Sequence, residues 1–160
     1  LAKPWFHAVR GNHEQMLIDA VRDTSEDGRV AVNHYLNGGE WMYGLPTVQT
    51  QCYAILCEEL PIAIEVETDA GLVGIIHAEC PLQDWNLFKA LFETNEHYFT
   101  QVAMWARMKI STPDHSDVVG LHKMYVGHTV VDKPEQLGNV HYIDTGVCFG
   151  NRPLTIVQIN

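Results

Sequence analysis

The chain has 160 residues, of which 46% are hydrophobic and 19% charged, a composition typical of one compact globular domain, here residues 1–160. Acidic residues outnumber basic ones 20 to 10, and the formal net charge of -10 argues against binding to nucleic acid or an anionic membrane. No apolar run reaches the roughly 18 to 20 residues of a membrane span, so we expect a cytoplasmic protein without membrane partners.

The four cysteines are predicted to be reduced thiols. Cys52, Cys57, Cys80 and Cys148 contain no CxxC pair and lack the dense spacing of a disulfide framework. Structural zinc sites place their ligands at short, regular intervals, so this spacing does not favour one.

The first predicted element is a short buried strand over residues 5–9, followed by a helix whose apolar positions recur with helical spacing from Met16 to Val21. The segment RGNHE at residues 10–14 therefore lies at a corner between strand and helix, where open α/β sheets place their ligands. A second helical stretch over residues 29–36 ends at Asn37-Gly38-Gly39, a typical helix stop.

The rest of the chain predicts mixed helices and strands. A helix over residues 50–60 ends before Pro61, because a residue that precedes proline disfavours helix. Apolar runs at residues 62–67 and 72–76, joined through Asp69-Ala70-Gly71, predict a β-hairpin. Two helices over residues 82–93 and 96–108 follow, and then strands near residues 120–126, 141–144 and 153–159.

Three histidines share one context. His13, His77 and His128 each follow a predicted strand and precede a loop, so they could converge at one edge of a sheet, where Asn12 would add an oxygen ligand. Imidazole suits Zn, Fe or Ni, and an amide oxygen suits harder cations. Taken singly, each histidine also fits an ordinary hydrogen-bonded residue, and Asn12 fits an ordinary turn residue.

Four ordered motifs carry a family resemblance: RGNHE at residues 10–14, GIIHAECP around His77, VGHT at 126–129 and YIDTG at 142–146. Together they resemble the serine/threonine phosphoprotein phosphatases of the calcineurin-like metallophosphoesterase superfamily, in particular the small phage and bacterial members. NGGEW at 37–41 and CPLQDW at 80–85 also have counterparts there. The resemblance implies an α/β fold of two mixed β-sheets sandwiched between helices in four layers, here lacking its N-terminal strands.

The resemblance also assigns roles to matching positions. It implies that Asn12, His77 and His128 are ligands of one metal ion of a two-metal site, and that His13 protonates the leaving oxygen. It implies that Arg10 and Arg107 bind the phosphoryl group, although Arg107, in a less distinctive motif, also fits an exposed charge at a helix end. Mn is the expected metal in both positions, with Fe, Zn or Ni as alternatives.

The chain departs from the family in lacking two motifs that normally precede GNHE, an aspartate-x-histidine pair and GDxxDRG. These supply the ligands of the other metal ion, the bridging aspartate and the acid that orients the catalytic histidine. We expect a C-terminal portion that is inactive alone and associates with its missing N-terminal half or with itself. A pairing of two separate chains and a noncatalytic relative are the alternatives.

The function implied by the resemblance is metal-dependent hydrolysis of phosphomonoesters, including phosphoserine and phosphothreonine in proteins, by attack of a metal-bound hydroxide. The expected partners are a phosphorylated protein or a small phosphomonoester. Hydrolysis of a dinucleoside polyphosphate is the alternative within the same superfamily. A binding or regulatory module without catalysis is the alternative from another class.

Overall fold

The computed structural model describes residues 3–160, which divide into two compact units. The first unit runs to Pro61, and the second comprises Ile62–Asn160. The assignment of residues 1–160 to one domain stays a prediction. None of the helices in the described part of the chain has both the length and the apolar character needed to cross a membrane.

The first unit is helical. Its α-helices are α1 (Asn12–Arg22), α2 (Arg29–His34) and α3 (Thr47–Glu58). A kinked π-helical turn, Tyr35–Gly39, and a 3-10 turn, Glu40–Gly44, connect α2 to α3. Leu17, Met42 and Ala54 form the small core of this unit. The predicted helices are therefore confirmed, although α3 begins earlier than residue 50 and α2 ends before residue 36.

The buried strand predicted over residues 5–9 is wrong. This segment is irregular, and the side chain of Trp5 is 75% exposed. A strand needs a partner to satisfy its backbone hydrogen bonds, and no described strand pairs with these residues. Hydrophobic side chains alone therefore did not make a strand here.

The second unit contains a mixed five-stranded sheet, which confirms the predicted α/β class. Its strands are β1 (Ala63–Thr68), β2 (Gly71–Ile76), β3 (Lys123–Val126), β4 (Glu135–Leu137) and β5 (Val140–Tyr142). The spatial order is β1-β2-β3-β5-β4. The neighbouring strands β2, β3 and β5 run parallel to one another. The outer strand β1 is antiparallel to β2, and the outer strand β4 is antiparallel to β5. The three parallel strands thus share one carboxyl edge.

The hairpin of β1 and β2 forms as predicted, with Ala63 opposite Ile76 and Thr68 opposite Gly71. The strand β4 was not predicted, because Glu135–Leu137 is short and largely polar. The strand predicted over residues 153–159 is wrong. Thr145 Oγ1 instead donates a hydrogen bond to the Pro153 carbonyl oxygen at 2.8 Å, and the side chain of Ile156 is 86% exposed.

The helices of the second unit are α4 (Trp85–Leu91), α5 (Glu96–Trp105) and the single turn α6 (Met108–Ser111). The helix α4 begins later than predicted because Asp84 caps it, accepting a hydrogen bond from the Leu87 N–H at 2.9 Å. The chain leaves helical geometry at Ala106, so the predicted helix over residues 96–108 divides into α5 and α6. A core containing Ile76, Trp85, Met124 and Val126 joins the helices to the sheet.

Candidate active site

The GNHE corner of the first unit is organised as a helix start. The Glu14 carboxylate accepts a hydrogen bond from the Gly11 N–H at 2.9 Å, which satisfies a donor that the helix itself leaves unpaired. Asn12 and His13 consequently lie in the first turn of α1, where Asn12 is buried and His13 is exposed. An exposed imidazole at this position is accessible to a ligand.

Arg10, directly before this corner, is held by the end of α3. Its backbone N–H donates to the Pro61 carbonyl oxygen at 2.8 Å, and its Nη2 donates to the Glu58 carbonyl oxygen. Its Nη1 lies 3.4 Å from Gln15 Oε1. Its Nε is buried and has no hydrogen-bond partner within residues 3–160. These contacts fix the orientation of the guanidinium, whose buried Nε is not accessible from solvent.

In the second unit, the structure brings His77 and His128 together. They follow the parallel neighbours β2 and β3 at the shared carboxyl edge, and their ring centroids are 5.0 Å apart. The Gly127 N–H donates to the His77 carbonyl oxygen at 2.9 Å, which ties the two corners to each other. His128 has a φ of 61°, a left-handed conformation that a residue with a side chain rarely adopts.

One further aromatic side chain contacts this pair. The Trp105 ring meets the His128 ring edge to face, with centroids 6.0 Å apart, at the end of α5. Arg107, the other predicted phosphate ligand, is exposed and immediately precedes α6. The roles predicted for His77 and His128 in metal binding and for Arg107 in phosphate binding stay predictions.

The donor set suits a divalent transition metal in part. Two neighbouring imidazoles are ligands that Mn, Fe, Ni and Zn accept. Across residues 3–160, no group of three or more His, Cys, Asp or Glu side chains is arranged to hold a metal ion. The structure therefore shows two neighbouring imidazoles, and their role as metal ligands stays a prediction.

Comparison with known proteins identifies the family. The chain is 33% identical over 162 aligned positions to serine/threonine-protein phosphatase 1 of Salmonella typhimurium, covering 99% of this chain and 68% of that protein. It is 30% identical to serine/threonine-protein phosphatase 2 of the same organism, covering 94% and 67%. It is 27% identical to serine/threonine-protein phosphatase 2 of Escherichia coli, covering 91% and 64%.

The chain belongs to the family of bacterial serine/threonine-protein phosphatases. It spans about two thirds of the length of these curated relatives. No family model matches the chain.

Sequence reasoning missed one histidine in the first unit of this chain. His34 is 3% exposed, and its Nδ1 lies 3.2 Å from the Tyr43 hydroxyl, which donates to the Ala31 carbonyl oxygen at 2.7 Å. Burial lowers the pKa of His34, and the nearby His13 lowers it further. Both effects disfavour the protonated form of this imidazole.

Gly39 explains how the His34 ring is accommodated. A Cβ on Gly39 would lie 2.2 Å from His34 Nε2, so only glycine leaves room for the ring. The signal in the sequence was a histidine one turn before Asn37-Gly38-Gly39, a motif interpreted as a helix stop and as part of the family counterpart NGGEW.

Asp144 was also missed, although it lies in the YIDTG motif. It follows β5 at the carboxyl edge in the way that His77 and His128 follow β2 and β3. Its Oδ1 accepts a hydrogen bond from the Gly146 N–H, and its carbonyl oxygen accepts one from the Val131 N–H, both at 2.9 Å. A polar residue after the third parallel strand was the signal that could have found it.

Proposed function

We propose that the chain is part of a metal-dependent phosphatase that hydrolyses phosphomonoesters, including phosphoserine and phosphothreonine in proteins. The observation that carries the proposal is the pairing of His77 with His128 at the ends of parallel strands, in a member of this family. The similarity along 99% of the chain to a protein named a serine/threonine phosphatase supports it.

Asn12, His77 and His128 would hold a divalent metal ion, with Mn expected and Fe, Zn or Ni as alternatives. When bound, such an ion supplies Lewis acidity, which polarises the phosphoryl oxygens and activates water for attack. The chain's own contribution is to orient these ligands. The Gly127 hydrogen bond to the His77 carbonyl fixes the imidazole pair, and the Glu14 hydrogen bond to Gly11 fixes the turn that carries Asn12.

The remaining roles concern protons and phosphoryl oxygens. His13, exposed in the first turn of α1, would donate a proton from its ring to the departing oxygen of the substrate. Arg10 and Arg107 would bind phosphoryl oxygens, because a guanidinium offers several N–H donors in one plane. Arg10 suits this role since its orientation is set by the end of α3 rather than by solvent.

The experiment that tests the proposal is His13→Asn in the complete, Mn-loaded protein. General-acid help contributes about 100- to 10,000-fold, and it matters most when the leaving oxygen is a poor leaving group. We therefore expect a large loss of kcat for phenyl phosphate and a much smaller loss for p-nitrophenyl phosphate. His97→Asn, at an exposed histidine of the second unit, serves as the matched control.

Equal losses for the two esters would refute the general-acid role of His13. Wild-type protein that binds phosphate but shows no turnover would refute the enzyme function and favour a binding module. Preferential hydrolysis of dinucleoside polyphosphates would replace the proposed substrate class with the other one of this superfamily.

A further inference from the structure

The segment that carries Arg107 is anchored by a carboxylate from another corner of the second unit. Glu79 lies two residues beyond His77, and only 9% of it is exposed. Its Oε2 accepts a hydrogen bond from the Met108 N–H at 2.9 Å, and its Oε1 accepts one from the Lys109 N–H at 2.7 Å. Both oxygens are thus used on the first two backbone amides of α6.

This turn depends on such anchors. The helix α6 has only four residues, and an isolated helical turn this short does not persist in water. A buried carboxylate is costly unless it is hydrogen-bonded, and hydrogen bonds to a charged acceptor are stronger than neutral ones. The pair of bonds therefore places the start of α6 in one defined position.

A second anchor holds the far side of the same segment. The Lys109 side chain is 2% exposed, its Nζ donates to the Ser116 carbonyl oxygen, and it lies 3.6 Å from Asp114 Oδ2. The Asp114 N–H donates to the Lys109 carbonyl oxygen at 2.9 Å. Residues 108–116 are consequently tied down at both ends, and the exposed Arg107 is the residue immediately before them.

We propose that Glu79, together with the buried Lys109, is a positioning residue that sets the place of Arg107 for binding the phosphoryl group of the substrate. The inference rests on the proposed function. Glu79 belongs to the corner after β2 that also bears His77, so one rigid corner would set both a metal ligand and a phosphate ligand. Arg107 touches substrate in this account, whereas Glu79 acts only through the backbone of α6.

The test is Glu79→Gln in the complete, Mn-loaded protein. Glutamine keeps one acceptor oxygen but turns an NH₂ group toward a backbone N–H, so one anchoring bond is lost. We expect the KM for p-nitrophenyl phosphate and the inhibition constant of inorganic phosphate to rise about three- to tenfold, as expected for a charge-assisted hydrogen bond. We expect kcat and the bound Mn to stay near the wild-type values.

Two comparisons make the result specific. In an Arg107→Ala background, Glu79→Gln should raise KM no further, because the residue through which it acts is gone. Hydrogen exchange of the Met108 and Lys109 amides should become faster in Glu79→Gln but not in Arg107→Ala. Glu67→Gln, at an exposed position of β1, is the matched control and should change none of these quantities.

Several outcomes would overturn the inference. These are an unchanged KM in active Glu79→Gln protein, an equal rise in KM in the Arg107→Ala background, loss of Mn in parallel with the KM effect, or unchanged amide exchange. An inactive wild-type protein would refute the proposed function and this inference with it. If Glu79→Gln does not fold, Glu79→Asp keeps the charge on a shorter side chain and should raise KM without loss of Mn. An unchanged KM in folded Glu79→Asp protein would then overturn the inference.

Discussion

Gly39→Ala is expected to displace the buried His34 ring and destabilise the first unit. The added Cβ would lie 2.2 Å from His34 Nε2 and 2.3 Å from Cε1, whereas non-bonded heavy atoms approach to about 3.5 to 4.0 Å. The φ of Gly39 is -89°, which alanine adopts without difficulty. The conflict is therefore steric. The His34 ring must move by roughly 1 Å or more, which is the difference between the 2.2 Å approach and an ordinary contact of about 3.5 Å.

The magnitude follows from what that movement breaks. Overpacking a buried site costs about 1 to 3 kcal/mol, and losing the 3.2 Å contact between His34 Nδ1 and the Tyr43 hydroxyl costs about 1 kcal/mol more. We expect the free energy of unfolding to fall by roughly 2 to 4 kcal/mol. Urea titration of the complete protein, followed by circular dichroism and by amide exchange in α2, measures the change.

Gly44→Ala is the matched control, because a Cβ there meets nothing within 4 Å. It should be neutral or stabilise the protein by up to about 1 kcal/mol. In a His34→Ala background, Gly39→Ala should cost less than about 1 kcal/mol, since the obstructing ring is absent. A similar cost of Gly39→Ala in both backgrounds, or no cost in either, would show that the close approach does not control stability.

Three further predictions follow from burial and hydrogen bonding. Because the pKa of His34 is lowered in the folded state, the unfolded chain binds a proton more readily, and the free energy of unfolding falls as pH drops below the ordinary histidine pKa of 6.5. His34→Gln should make this decline smaller, and an unchanged pH dependence in urea titrations would contradict the prediction. Burial raises the pKa of Cys80 to about 11, so at pH 8 a thiol reagent should modify the exposed Cys52 and Cys148 first, as read by peptide mass spectrometry. Asn139→Ala should lower the free energy of unfolding by roughly 2 to 4 kcal/mol, measured by urea titration, because its side chain makes three backbone hydrogen bonds of 2.8 to 3.0 Å; a loss under about 1 kcal/mol would refute that role.

The parts of the fold that were predictable are those set by local pattern. The hairpin of β1 and β2 follows from two apolar runs around a short turn, and both strands find their partner in each other. The segments 5–9 and 153–159 have the composition of strands, yet neither pairs with a strand in the described part of the chain. Apolar content predicts burial, but a strand also needs a partner, which local sequence does not supply.

The same distinction applies to the candidate site. His77 and His128 could be predicted as neighbours, because residues that follow parallel strands share one edge of a sheet and the motif around each marks where its strand ends. The structure adds their 5.0 Å separation and the left-handed backbone of His128, neither of which is encoded in a short motif. A motif identifies the residue type, whereas the sheet determines the geometry.

Glu79 shows why the supporting residues escape sequence analysis. In HAEC it is one polar residue after a histidine, and nothing local indicates that its carboxylate reaches backbone amides 29 and 30 positions further along the chain. His34 and Gly39 are a similar case with a shorter separation in sequence. Glycine is needed at position 39 because the His34 ring packs directly against it. Residues expected to touch a ligand carry recognisable chemistry in the sequence, whereas those that hold them in place are defined by contacts that exist only once the chain has folded. The variants Glu79→Gln and Gly39→Ala therefore probe the part of this phosphatase family member that its motifs do not reveal.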